Sequence, residues 1–163
     1  MSNLDHPAVQ RVCGALQDAG SEAQVIELAE TARSAADAAA SIGTELGSIV
    51  KSLVFAIDGK PVMALVAGDR QCNTKALPVA FGLEGKAKRP DADVVREATG
   101  FAIGGVAPVG HTTPVPVIID ESLERFPTVY AAAGHPYCVF ATTVAELARV
   151  SGGAVVGGIS KAG

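Results

Sequence analysis

The chain has no tryptophan, and all aromatic residues together make up 4% of it. Base stacking on an aromatic platform is therefore a poor fit as the main binding mode. The core must be built from Val, Ala, Leu and Ile, which a 48% hydrophobic content supplies easily. Cysteine is scarce too. Cys13, Cys72 and Cys138 are odd in number, far apart and without a CxxC pair, which disfavours a zinc ribbon and a disulfide framework. A reducing cytoplasm is the compartment that fits. No apolar run reaches the length of a membrane span, and the amino terminus lacks the basic and apolar regions of a signal peptide. Positive charge is outnumbered, with 13 Lys and Arg against 17 Asp and Glu, a net charge of −4. That balance argues against a general nucleic-acid coat protein but leaves room for local contacts.

A length of 163 residues suits one domain, spanning 1–163, around a single core. Helical spacing of Val9, Val12, Cys13 and Leu16 predicts a helix over 6–19, with Asp5 as N-cap, Pro7 in the first turn and Gly20 at the end. A short strand is expected from Ala23 to Leu28 and an alanine-rich helix from Thr31 to Ile42, closed by Gly43. The apolar run Ile49 to Ile57 reads as a buried strand. Asp58-Gly59 is a hairpin signal, and Pro61 to Ala67 is the partner strand. Asn73 and Asp91 are candidate caps for helices ending at Ala80 and Gly100. Strands are expected over Val115–Ile119, Thr128–Ala132 and Tyr137–Phe140, the last two joined across Gly134-His135-Pro136. A helix over Thr142–Val150 carries a Thr143/Glu146 capping box, and Ala154 to Ile159 is a last strand. Helices interleaved with hairpins imply a mixed α+β fold with a mixed sheet, not a doubly wound parallel one.

Lys51 stands alone in the Ile49–Ile57 run. A lysine there must find a partner, reach water at a cleft, or lose its charge. Two readings stay open. It is an edge-strand lysine that blocks aggregation, or a cation at a cleft floor that binds an oxygen or acts as a base. Ser48 and Ser52 flank it, but no Gly-x-Ser-x-Gly elbow exists, and Cys72 has no base beside it. Further on lies the glycine-rich loop Gly104-Gly105-Val106-Ala107-Pro108-Val109-Gly110-His111. It matches neither a P-loop nor a dinucleotide fingerprint. Its glycines let a ligand approach the backbone. His111 and His135 are separated, with no carboxylate at ligand spacing, so no metal and no cofactor is expected. Arg70, Lys75, Lys86, Lys88 and Arg89 form the one basic stretch, interrupted only by Glu84. By itself it reads as a solvated face.

Taken together, these segments resemble the YbaK/ProX family of aminoacyl-tRNA deacylases, seen also as the editing insertion of bacterial prolyl-tRNA synthetases. The resemblance runs from Ile49-Val50-Lys51-Ser52-Leu53-Val54-Phe55, through Val66-Ala67-Gly68-Asp69-Arg70 and Thr99 to Gly110, to Pro116-Val117-Ile118-Ile119-Asp120-Glu121 and Ala133-Gly134-His135. It implies a mixed, mostly antiparallel sheet rolled into a partial barrel with helices around it. It implies hydrolysis of the ester that joins a wrong amino acid to the 3′ end of a tRNA, tRNA for proline being the candidate. The family's essential lysine falls on Lys51 and its Gly-x-x-x-Pro loop on Gly104, Gly105, Val106, Ala107 and Pro108. Ser52, Val109, Gly110, Gly134 and His135 are then substrate-binding candidates, suited to a small or hydroxylated side chain such as Ala or Ser, with Cys less favoured. Arg70, Lys75, Lys86, Lys88 and Arg89 become candidate tRNA contacts. The implied partners are aminoacyl-tRNA and a prolyl-tRNA synthetase, with no DNA or membrane. Ser52 departs from the Lys-Asn pair of alanine-specific members. Two rivals differ in class: a non-catalytic tRNA- or synthetase-binding module, and a Schiff-base enzyme using Lys51 as nucleophile.

Overall fold

The computed structural model describes residues 2–29, 32 and 34–163. At its centre β2 (Ile49–Ile57) and β3 (Lys60–Ala67) pair antiparallel along their length, from Val50 opposite Ala67 to Ile57 opposite Lys60. The turn between them has Asp58 at φ 52° and Gly59 at φ 73°. Two left-handed residues in a two-residue loop match the right-handed twist of the strands, which is why Asp-Gly suits this position.

Around this hairpin the main sheet runs β1 (Val25–Glu27), β8 (Cys138–Thr142), β7 (Val129–His135), β2, β3, β6 (Val117–Asp120), β9 (Ala154–Val156). The strand β5 (Ala87–Lys88) pairs with the far end of β2, while β4 (Arg70–Cys72) and β10 (Ser160–Ala162) form a separate ribbon. The β2–β7, β3–β6 and β6–β9 pairs are parallel and the others antiparallel. The result is a curled half-barrel of mixed sheet with helices α1 (Pro7–Asp18), α2 (Ala35–Ile42), α3 (Leu77–Phe81), α4 (Ala92–Thr99) and α5 (Val144–Ser151) around it.

Strand alternation divides the core. Val50 and Val54 face one way, with Met63, Leu65 and the α1 residues Val9, Val12 and Leu16. Phe55 and Ile57 face the other, with Val62, Ala64, Val66 and Leu77. Each such side chain contributes about 1.5–3 kcal/mol when fully buried. Helix ends follow local chemistry. Asp91 and Ser34 accept the N–H of the residue three along, at 3.0 and 3.1 Å, and Gly43, Gly100 and Gly152 close helices in the left-handed conformation.

Several expectations are corrected. His6, not Asp5, caps α1: its Nδ1 accepts from the Ala8 N–H at 3.1 Å, while Asp5 ends a preceding 3-10 turn. Asn73 makes no side-chain cap, and the segment after it is a 3-10 turn, Thr74–Ala76, running into α3. Thr143 caps α5, but the Glu146 carboxylate turns to Arg149, so the box is half formed. Gly134 and His135 belong to β7, whose register shifts between Ala132 and His135, and the turn falls on Pro136 and Tyr137. The strand expected over Ala154–Ile159 stops at Val156 as β9, and a further strand, β10, follows after Ile159. Helix α2 is described from Ala35, and Thr31, its expected start, lies outside the described residues.

Candidate functional site

β2 lies between β7 and β3 in the sheet order, so it is not an edge strand over its whole length. Its second neighbour changes along its length. On that side β7 pairs only with Ile49 and Val50, and β5 only with Ala56 and Ile57. From Lys51 to Phe55 the strand is paired with β3 alone. A cavity of about 530 Å³ occupies this gap, in the size range of small-molecule sites. β2 forms its floor, and α2, Val95, the glycine loop and the β7–β8 turn contribute walls.

Lys51 and Ser52 lie together on the floor and point to opposite faces of the strand. The Lys51 ammonium, half-buried, donates to the backbone carbonyl of Arg70. Burial pushes its pKa below the ordinary lysine value, while nearby Cys72 and Asp69 pull the other way. An ammonium has three donors, so two remain for a ligand. The Ser52 hydroxyl is buried at the cavity and has no hydrogen-bond partner among the described residues. Such a group costs free energy until a ligand or water satisfies it.

The glycine loop brings Gly104 and Val106 to the cavity, with Ile103 at the rim, 62% exposed. Gly104 sits at φ 95°, a conformation that glycine alone adopts readily. The Gly105 N–H is occupied by Ala102 O at 3.1 Å, whereas those of Gly104 and Val106 face no acceptor among the described residues. Gly105 serves close packing: a Cβ there would lie 3.0 Å from the His135 backbone. Gly134 has the same purpose one layer further out, with an added Cβ 2.7 Å from Ala8 O. Pro108, Val109 and Gly110 face a second hollow behind the loop, beside His111. Of the expected substrate-binding residues, Val109, Gly110 and Gly134 lie outside the lining of the first cavity, Val109 and Gly110 at the second hollow and Gly134 against α1. Ala107 is fully buried. His135 is adjacent to the cavity wall but not part of it. Its Nδ1 accepts from the Tyr137 N–H, and its ring lies 5.6 Å from that of His6. Tyr137 and Tyr130 take wall positions instead, which spacing alone gave no reason to single out.

A family model for an aminoacyl-tRNA editing domain matches residues 29–150. The chain belongs to this family. The editing domain is 36% identical to the uncharacterized protein YwhH of Bacillus subtilis over 131 residues, 80% of this chain and 82% of that one. It is 38% identical to a proline–tRNA ligase of Geobacter sp. over 92 residues, 56% of this chain but 16% of the ligase. It superposes with a TM-score of 0.87 and 40% identity on a crystal structure of a protein proposed to be a trans-editing enzyme for prolyl-tRNA synthetase, covering 96% of this chain and 98% of that one. Family membership makes the editing domain a deacylase, an ester hydrolase acting on aminoacyl-tRNA.

The basic stretch of the editing domain is not uniform. Arg70 is committed within the protein: its Nε donates to Ser160 Oγ and its Nη2 to Ser160 O, each at 3.0 Å. Those two donors are therefore engaged inside the protein rather than offered to a tRNA. Lys75, Lys86, Lys88 and Arg89 are exposed, and none has an ion-pair partner among the described residues. Arg89 alone of these lines the cavity. Among the described residues no three His, Cys, Asp or Glu side chains converge as a metal site, and no helix is long and apolar enough to cross a membrane.

Proposed function

We propose that this editing domain hydrolyses, in trans, the ester that joins a small amino acid (alanine, serine or cysteine) to the 3′ end of a tRNA, with tRNA for proline as its acceptor. The observation that carries this reading is that Lys51, Ser52, Gly104 and Val106 line one cavity, beside the stretch of β2 that neither β5 nor β7 pairs. The resemblance to a protein proposed to edit in trans for prolyl-tRNA synthetase supports the tRNA and partner.

An aminoacyl ester is already activated, so the protein's task is to position water and stabilise charge. The N–H groups of Gly104 and Val106 take the ester carbonyl as it becomes an oxyanion. Lys51, with two donors to spare, binds the terminal phosphate or an ester oxygen, or polarises the carbonyl. Water adds to the carbonyl carbon, the bond to the ribose oxygen breaks, and that oxygen leaves as a hydroxyl. The neighbouring ribose 2′-hydroxyl assists the proton transfer, so no protein base is required. The walls, Tyr130 and Tyr137 among them, sieve the acyl group by size and shape. Arg89 at the rim and Lys75, Lys86 and Lys88 beyond it steer the acceptor end. A reducing cytoplasm, where tRNA is charged, is the matching compartment.

Deacylation of tRNAs charged with Ala, Ser, Thr, Cys and Pro, by wild type and Lys51→Ala in parallel, tests the proposal. Selective release of small acyl groups that disappears in the variant is expected. No release from any member, with tRNA still bound, would overturn it in favour of a recognition module.

A further inference from the structure

We propose that Arg11 of α1 is a positioning residue that sets the geometry of the glycine-rich loop. The inference rests on the deacylase reading of the same site. The Arg11 side chain reaches across to the two ends of the segment that holds the loop. Its Nη2 donates to Gly100 O at 2.7 Å and its Nε to Gly110 O at 2.8 Å. Between these two carbonyls lies the segment from Phe101 to Val109.

Phe101, the first residue of that segment, is tied to the same group. The Arg11 guanidinium lies over the Phe101 ring, 4.4 Å from its centroid, and Phe101 is 1% exposed. Phe101 also meets His111 edge-on, with centroids 6.2 Å apart. His111 Nε2 donates to Ala107 O at 2.7 Å, inside the loop. Arg11, Phe101 and His111 therefore form a stack that holds the loop at both ends and at Ala107. Gly100 is shaped for it: a Cβ there would lie 2.5 Å from Arg11 Nη2. The base of the stack is firm, because Val9 and Val12, on either side of Arg11 in α1, are fully buried.

The loop needs such support. Between Gly104 and Val109 its one backbone N–H bond to a described residue is Gly105 to Ala102. The free N–H groups of Gly104 and Val106 can serve an oxyanion only if they are held in place beforehand. The planar fork of arginine, with donors at a fixed angle, spans two carbonyls. The single ammonium of lysine does not.

The test compares Arg11→Met and Arg11→Lys with wild type by hydrogen exchange of the 101–110 amides, thermal melting and steady-state deacylation. Both variants are expected to melt cooperatively and to exchange faster in 101–110 than wild type. Their kcat should fall about 10–100-fold, as for a misplaced oxyanion donor, with KM within about twofold. Unchanged kcat in either variant would overturn the proposal, whether or not exchange rises. So would a loss expressed in KM alone. Full activity in Arg11→Lys would show that charge or coverage suffices. Exchange needs no substrate, so faster exchange in the variants with an inactive wild type would sink the deacylase reading and leave the clamp standing.

Discussion

Ser160 joins the buried carboxylate of Asp120 to the guanidinium of Arg70. Its hydroxyl donates to Asp120 at 2.5 Å and accepts from Arg70 Nε at 3.0 Å. Asp120 is 1% exposed and also accepts from Ser122. Arg70 in turn offers its backbone carbonyl to Lys51. A carboxylate at the end of β6 thus reaches Lys51 through Ser160 of β10 and Arg70 of β4.

Removing the link should loosen both ends. Ser160→Ala leaves the Asp120 carboxylate and the Arg70 Nε each short of a partner. Unfolding in urea should show a loss of about 1–3 kcal/mol, the usual cost of an unsatisfied buried polar group. Deacylation should fall as well, because the carbonyl that anchors Lys51 moves. Unchanged stability would mean that water replaces the hydroxyl.

Ser52→Ala should behave in the opposite way in the free protein. It removes a buried hydroxyl that has no partner, so the melting temperature should hold or rise. The loss should appear with a hydroxylated substrate: release from seryl-tRNA should fall more than release from alanyl-tRNA. Equal effects on the two would show that the Ser52 hydroxyl does not read the acyl group.

Two histidines make stability depend on pH. Burial is the first cause that holds both His111 and His135 below the ordinary value of 6.5. The unfolded chain therefore takes up protons more readily than the folded one in the window below 6.5. Stability is lost as pH falls through that window and is regained as pH rises above it. The urea midpoint should be higher at about pH 7.5 than at about pH 5.5. In His111→Gln, which keeps a donor for Ala107 O, the difference should shrink but not vanish, since His135 remains.

Gly134→Ala should cost about 2–4 kcal/mol, combining strain at positive φ with a backbone clash. Its φ is 95°, and the new Cβ would lie 2.7 Å from Ala8 O. Gly20→Ala is the control. At φ 71° with nothing within 4 Å, it should cost only about 1 kcal/mol. Chemical denaturation of the two variants checks the contrast.

What could be read from the sequence was local. Asp58-Gly59, the caps Asp91 and Thr143, and the closing glycines Gly43 and Gly100 act on neighbours a few residues away, and each ends or turns an element as expected. Lys51 was conspicuous because a charge interrupts an apolar run. The short strands β4, β5 and β10 were invisible, since two or three residues show no period. The gap beside Lys51–Phe55 was invisible too, because it depends on where β5 and β7 stop pairing. Arg11 and Ser160 meet their partners across about ninety positions of chain and carry no local signature. The surroundings of His135 were equally illegible: its ring packs between those of His6 and Tyr137, at 5.6 and 5.4 Å, a grouping of residues far apart along the chain in the first case.

The unpaired stretch of β2 has an evolutionary consequence. A floor made partly of main chain survives any substitution that spares the backbone's course, and so does a loop that works through its N–H groups. Lining side chains, such as Ser52 on the floor and Tyr130 and Tyr137 on the walls, are free to drift. A lineage could in this way change which amino acid it rejects while the hydrolytic apparatus stays as it was.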